Sequence, residues 1–223
     1  LRHLGSNLVE VGEGAAIEAA AAWLALAPTD RETTAIYASG RKLRSEVNAA
    51  VQAGLKANGE IGAPSLALDV LARINTTREE LRHVSTYQTG QVVEVERDKR
   101  AQGLKRGIYQ VVGIDAKRER ILLENERGKR FEFMPGRLRP QGDYDPLRLF
   151  EIRNLELHAG DRIRWTETDH KRGLLNADQA RIIGIEPASV RLRTSLGIEH
   201  ELARDDPMLR RLDLAYALNA HMA

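Results

Sequence analysis

Five basic residues fall within ten positions, Arg97, Lys99, Arg100, Lys105 and Arg106, and a second basic triplet stands at His170, Lys171 and Arg172. Long cations on loops are the groups that follow a phosphate backbone, which they position without reading its bases. The plainer reading of either cluster is a solvated hairpin tip. Tyr109 and Trp165 fall inside strand-like runs. Aromatic rings of this kind can stack on single-stranded bases, at about 1 to 3 kcal/mol each. Their alternation with charged neighbours favours a place in a β core instead.

Other chemistries find no support in the residue types. The chain has no cysteine, which excludes disulfides, thiolate metal sites, iron–sulfur clusters and a thiol nucleophile. There is no phosphate-binding G-x-x-x-x-G-K-[ST] loop, and Gly12 and Gly14 lack the lysine and the strand–helix setting it requires. The histidines at 3, 83, 158, 170, 200 and 221 form no pair at metal-ligand spacing. Asp205-Asp206 and Glu79-Glu80 are adjacent carboxylates, which point apart on any regular element. Ser39-Gly40 makes no nucleophile elbow. No catalytic residue and no metal ligand is expected.

These candidates belong to a chain of 223 residues, 42% apolar and 30% charged, long enough for one large or two small domains and without a membrane-spanning apolar run. Its beginning at Leu1 and its apolar ending lead us to expect an excised piece of a longer protein. The net charge is only +2, but it is unevenly distributed. Residues 91–139 hold the first basic cluster with Lys117, Arg118, Arg120, Arg127, Lys129, Arg130, Arg137 and Arg139 against eight acids. That segment is the electropositive part of the molecule.

The elements that must position these groups follow from periodicity. An alanine-rich helix is expected over Gly14–Ala27, stopped by Pro28, then a β-branched strand over Thr33–Ala38. Leu43, Val47, Ala50, Val51 and Leu55 recur at helical spacing through Arg41–Asn58, closed by Gly59. Leu66–Ile74 is compatible with strand or helix. Thr76 with Glu79 three residues on suggests a helix start. This end of the chain reads as an α/β layer, and Leu212–Ala223 reads as a return to it.

From Gly90 onward the pattern changes to short alternating runs, QVVEVE, IYQVVGI, RILLEN and RFEFM, followed by DRIRW, ARIIGI, VRLRT and EHELA. The two sets are copies. Gly90 matches Gly160, Val93 Ile163, Val95 Trp165, Gly103-Leu104 Gly173-Leu174, residues 111–115 residues 182–186, Leu123 Leu192, Gly128 Gly197, and Glu132-Phe133 Glu201-Leu202. An internal repeat of short strands predicts two small, strongly curved β-barrels, over 90–139 and 147–204, joined by the proline- and glycine-rich stretch 135–146. The expected fold class is therefore α/β plus β. Residues 1–89 and 205–223 form the partial α/β domain, with the two barrels inserted.

The segment AGDRIRWTETDHKRGLLNADQARIIGIE at 159–186 resembles the GDR, polar-turn, G-x-x-N passage that opens the small SH3-like barrel in the second RecA-like domain of superfamily-one helicases of the RecD type. LDLAYALNAHMA at 212–223 resembles the strand and turn that follow it, and TAIYASGRKLRSEVNAAVQAGLKANGEIG at 34–62 the opening of that RecA-like domain, with its Arg-x-x-x-Asn helix matched by Arg44 and Asn48. With TREELRHVSTYQTGQVVEVE and a second barrel, the chain most resembles the helicase region of large conjugative relaxases. It departs from the family at Asn219, where a Thr is usual, and at Met222, where Lys or Gly is usual.

The resemblance implies a bacterial, cytoplasmic parent that nicks plasmid DNA and unwinds it 5′ to 3′ with ATP and Mg, this segment itself holding no cofactor and no complete ATPase cleft. Its partner would be single-stranded DNA, contacted through Arg44, Asn48, Tyr216 and His221 as well as the basic loops, with no membrane. Taken alone, these four read as a helix arginine, a helix-face amide, a core tyrosine and a frayed terminal histidine. The rival class is a protein-recognition module, two barrels bearing a translocation signal for the coupling protein of a type IV secretion system. A third reading is a vestigial helicase copy that does not hydrolyse ATP.

Overall fold

The computed structural model describes residues 14–99, 102–139 and 147–219. It is mostly β, with three open sheets and few helices. Two compact units emerge, one made of Leu1–Leu68 with Glu156–Ala223 and the other of Asp69–Leu155.

The first unit opens with α1 (Ala15–Leu24), α2 (Pro28–Thr33), β1 (Ile36–Ala38) and α3 (Arg41–Ala57). On α3, Arg44, Val47, Asn48, Val51 and Leu55 recur at three- and four-residue spacing and form its buried face. β1 pairs in parallel with β13 (Ala217–Asn219), Ile36 opposite Ala217, so the two ends of the chain share one short ladder. Between them lies a five-stranded antiparallel sheet in the order β11 (Glu199–Ala203), β10 (Ser189–Thr194), β9 (Gln179–Ile185), β8 (Arg162–Trp165), β12 (Leu212–Leu214).

The second unit contains the matching set, β3 (Val92–Val95), β4 (Gly107–Asp115), β5 (Arg120–Asn125) and β6 (Arg130–Phe133), hydrogen-bonded in that order with two further strands beyond β3. The chain passes between the units along β2 (Gly62–Ile74) and β7 (Arg148–Ala159). The core of the second unit is Val93, Val95, Tyr109, Val111, Ile121, Leu123, Phe133 and Leu149 with their neighbours. Strand alternation points these side chains to one face.

The repeat is a repeat of backbone geometry. Gly90 N–H donates to Val111 O and Gly160 N–H to Ile182 O, each at 2.8 Å. Isolated bridges close each first loop, Lys99 with Leu104 and Asp169 with Leu174. The ladder skips one residue between Val111 and Gly113 and again between Ile182 and Gly184, leaving Val112 and Ile183 as equivalent bulges. After each fourth strand a short 3₁₀ turn, Pro135–Arg137 or Pro207–Arg210, returns the chain to pair with the copy's first strand: β7 lies on β3 and β12 on β8.

Several expectations change. No ladder pairing joins the end strands of either sheet, so among the described residues the copies are open sheets rather than closed barrels. Leu66–Ile74 is strand, the greater part of a thirteen-residue strand over Gly62–Ile74. The helix start moves by one residue: Glu80 accepts from Thr77 N–H at 2.6 Å and Thr77 Oγ1 accepts from Glu80 N–H at 3.1 Å. It opens only a 3₁₀ turn, Glu80–Arg82. The helix over 14–27 is cut to Ala15–Leu24 because Pro28 begins α2.

Candidate nucleic-acid interface

In the second unit, the loop between β3 and β4 is fastened from inside. Lys99 N–H donates to Leu104 O at 2.6 Å, and Leu104 is buried beneath it. Asp98 Oδ1 accepts from Arg106 N–H at 2.8 Å, and Gln102 Oε1 from Met134 N–H at 2.8 Å. The Tyr109 hydroxyl accepts from Lys105 N–H at 3.1 Å and donates to Lys105 O at 2.9 Å. Each of these bonds uses a backbone atom, and none of them uses a lysine or arginine head group. Arg97, Lys105 and Arg106 are exposed and Lys99 is half-exposed. The acids at the loop's base, Glu94 and Glu96, are held by Arg148 at 3.1 and 2.8 Å. Arg97, Arg106 and Arg148 line one shallow recess there.

The equivalent loop of the other copy has the same backbone and a different charge. Asp169 stands at the position of Lys99, Glu167 at that of Arg97, and Leu175 and Asn176 at those of Lys105 and Arg106. Arg172 is clamped by two carboxylates, donating to Asp169 Oδ2 at 2.8 Å and to both oxygens of Asp206. Hydrogen bonds to Asp206 and Asp169 hold its guanidinium above its ordinary range, and Arg172 in turn holds Asp169 below the usual carboxylate range. His170 and Lys171 are exposed at the tip. Trp165 and Tyr109 are buried, at 0% and 4% exposure, which removes both as stacking platforms.

Three other expected contacts sit in the seam between α3 and the last strands. Asn48 donates to Leu214 O at 2.9 Å and accepts from Ala217 N–H at 2.6 Å. Arg44 pairs with Asp213 at 3.4 Å, and Tyr216 donates to Asp161 Oδ1 at 2.6 Å. Asp161, fully buried, also accepts from His158 N–H and Gln52 Nε2, each at 2.7 Å. Burial pushes its carboxyl up, and these three hydrogen bonds only partly offset it. Arg44, Asn48 and Tyr216 are all nine-tenths buried or more, so here they brace the parallel ladder and a bound strand would not reach them. Arg100 and His221 lie outside the described residues. No group of three or more His, Asp or Glu capable of holding a metal occurs among the described residues.

Sequence reasoning missed a row of arginines on the other copy, Arg162, Arg181 and Arg193, which face one another across β8, β9 and β10. Laying the copies over each other would have found it, because Val92, Gln110 and Glu124 occupy the same ladder positions in the first copy.

Residues 70–157 match the family described as the DNA relaxase TraI 2B/2B-like domain, a span that coincides with the second compact unit. The similarity extends well beyond that unit. The multifunctional conjugation protein TraI of Escherichia coli K12 is 26% identical over 197 residues, and a second Escherichia coli TraI is 27% identical over 199 residues, each covering 88% of this chain. The chain spans about a tenth of the length of these relatives. A solved structure of Pif1 helicases at forked double-stranded DNA is matched over 64% of this chain and 36% of that chain, at 12% identity and a TM-score of 0.21, too low to bear on the fold. The matches to the TraI domain family and to the two TraI proteins relate this chain to a region of a conjugation relaxase. Among the described residues no helix is long and apolar enough to cross a membrane.

Proposed function

We propose that this chain is a single-strand-contacting part of a conjugative relaxase/helicase, and that the loop over residues 96–106 follows the phosphate backbone. The observation that supports this reading most is the contrast between two loops of one geometry. One presents Arg97, Lys99, Lys105 and Arg106, while the other has acids, an amide and leucine at those positions and neutralises its Arg172. A charge pattern that the fold does not require is a candidate for function. Similarity to conjugation proteins along 88% of the chain makes DNA the polyanion of choice.

In this reading each copy is an SH3-like module, five strands with a 3₁₀ turn before the last, and the ladder of β1 and β13 on α3 is part of a RecA-like layer of the RecD type. ATP and Mg would act in the parent protein. The segment's own residues supply backbone-directed, sequence-independent binding.

The test is fluorescence-anisotropy titration of a labelled strand of roughly 20 nucleotides, and of the matching duplex, across a salt series. We expect the single strand to bind more tightly, with affinity falling by about 0.7 log units per log unit of salt for each phosphate contact. Absence of binding at low salt would overturn the reading. Capture instead by the coupling protein of a type IV secretion system would then favour the recognition-module role.

A further inference from the structure

We infer that the arginine row of the second copy is a phosphate-binding site in which Glu32 is a resident anion that an incoming phosphodiester displaces. The inference deepens the strand-binding reading and rests on it for the choice of a nucleic-acid backbone as the source of phosphate.

The argument begins with register. Arg162 stands directly opposite Arg181, and Arg181 directly opposite Arg193, so three guanidinium-bearing residues lie side by side on adjacent strands, about 4.8 Å apart. Like charges directly across a ladder destabilise it. The fold has no need of them: the first copy completes the same ladder with Val92, Gln110 and Glu124. Three adjacent like charges that are dispensable to the ladder's geometry call for an anion.

Two carboxylates now answer that charge. Glu199, opposite Arg193 on β11, accepts from it at 2.6 Å and 3.0 Å. Glu32, from α2, is shared between Arg181 at 2.6 Å and Arg162 at 2.9 Å. One carboxylate divided between two guanidinium groups leaves donors to spare, and Glu32 is half-exposed. Arg181 and Arg193 are also open to solvent, at 44% and 54%, around a recess completed by Gln179, Thr194 and Ser195. Phosphate suits such a recess at least as well as a carboxylate: the two anionic oxygens of a phosphodiester present the same bidentate edge to a guanidinium fork, and a free phosphate presents further oxygens.

Displacement of Glu32 need not unfold α2. The neighbouring Arg31 is buried and anchors that helix independently, donating to Leu26 O at 2.9 Å and Leu24 O at 2.5 Å and pairing with Glu60 at 2.7 Å. Arg162 is held in place from below, over the Trp23 ring at 5.3 Å and by two bonds to Arg31 O at 3.2 Å. Arg162 is thus fixed, whereas Arg181 and Arg193 are solvent-exposed and held by exposed carboxylates, Glu32 and Glu199, that a ligand can displace.

Two variants and one spectroscopic titration test the site. Glu32→Gln removes the competing anion and is expected to tighten binding of the 20-nucleotide strand about threefold or more, while Arg181→Ala/Arg193→Ala weakens it about tenfold with the melting temperature retained. Independently of any strand, inorganic phosphate titrated into protein with ¹⁵N-labelled arginine is expected to shift the Nε resonances of Arg162, Arg181 and Arg193. Shifts with phosphate but no strand binding would keep the site, name a free phosphate compound as its ligand, and reject the strand-binding reading alone. If the strand binds but is unaffected by either variant, and phosphate moves none of the three resonances, the arginine row is only a ladder clamp and the inference is wrong.

Discussion

The two copies share a ladder, a bulge, a bridged loop and a 3₁₀ return, yet almost every polar decision on that frame differs. The first copy buries a small Val95 on its first strand and Tyr109 on its second, while at the corresponding positions the second copy buries Trp165 on its first strand and a small Ala180 on its second, so the large ring changes strands. The consequence is chemical as well as steric. The Tyr109 hydroxyl ties down its loop at Lys105, whereas the indole N–H of Trp165 is buried without a hydrogen-bond partner. Loop cations concentrate on the first copy, and sheet-face arginines on the second. Backbone geometry is thus the conserved quantity between the copies, and charge is the variable one.

The widest gap in stability should appear at the residue before each first strand. Asp161→Ala would orphan two buried donors, Tyr216 O–H and His158 N–H, remove one of the two bonds of the half-buried Gln52 amide and cost about 3 kcal/mol, whereas Gln91→Ala, at the equivalent place, loses one bond to Gln88 N–H and costs under about 1 kcal/mol. Denaturant melts of both variants would show the asymmetry, and equal losses would break the comparison.

Next come the glycines that open each copy, at φ +93° for Gly90 and +99° for Gly160. Alanine is strained at both, but only at Gly160 would its methyl meet a side chain, Ile61 at 3.0 Å, while Gly90 has open space. Gly160→Ala is expected to cost about 2 kcal/mol and Gly90→Ala about 1 kcal/mol, read from the same melts.

The pH dependence sharpens the contrast further. A carboxyl raised on folding, as Asp161 is by burial, contributes stability that is full below its ordinary value near 3.8 and lost as pH rises through its folded value. Asp169 runs the other way: held low by Arg172, it contributes above about 3.8 and loses that contribution as pH falls. The stability of the wild type relative to Asp161→Asn should therefore shrink as pH rises from about 4 and then level off. A difference that grows with pH would contradict this assignment.

The smallest effect is at the loop braces. Arg172→Ala and Gln102→Ala each unfasten a loop from the segment before its 3₁₀ turn, at Asp206 or Met134. Each should cost about 1 kcal/mol or less and raise amide exchange in the loop alone. Exchange spreading into the core strands would show that the braces hold more than the loop.

Much of the frame was readable in advance because it rests on period and on glycine. The alternation of strands, the paired Gly90 and Gly160, and the helical face of α3 leave direct marks in the residue order. The one-residue bulges left no such mark, and neither did the open edges of the sheets, which depend on pairing across distant strands. The site was legible only in part. The basic loop showed itself as a cluster in sequence, but Arg162, Arg181 and Arg193 are spread over 32 positions and converge only through antiparallel register. Arg44 and Asn48 read as surface polar residues because nothing local says that Asp213 and the backbone of residues 214 and 217 lie against them.

The account turns on which copy's loop touches the strand, and charge reversal of both decides it. Lys105→Glu/Arg106→Glu and His170→Glu/Lys171→Glu change the same number of side chains on the two equivalent loops. In a low-salt titration of the single strand, we expect the first pair to weaken binding about tenfold or more and to flatten the salt slope by about 1.4, and the second to change affinity about twofold. Equal losses, or the larger loss from the second pair, would contradict the central claim.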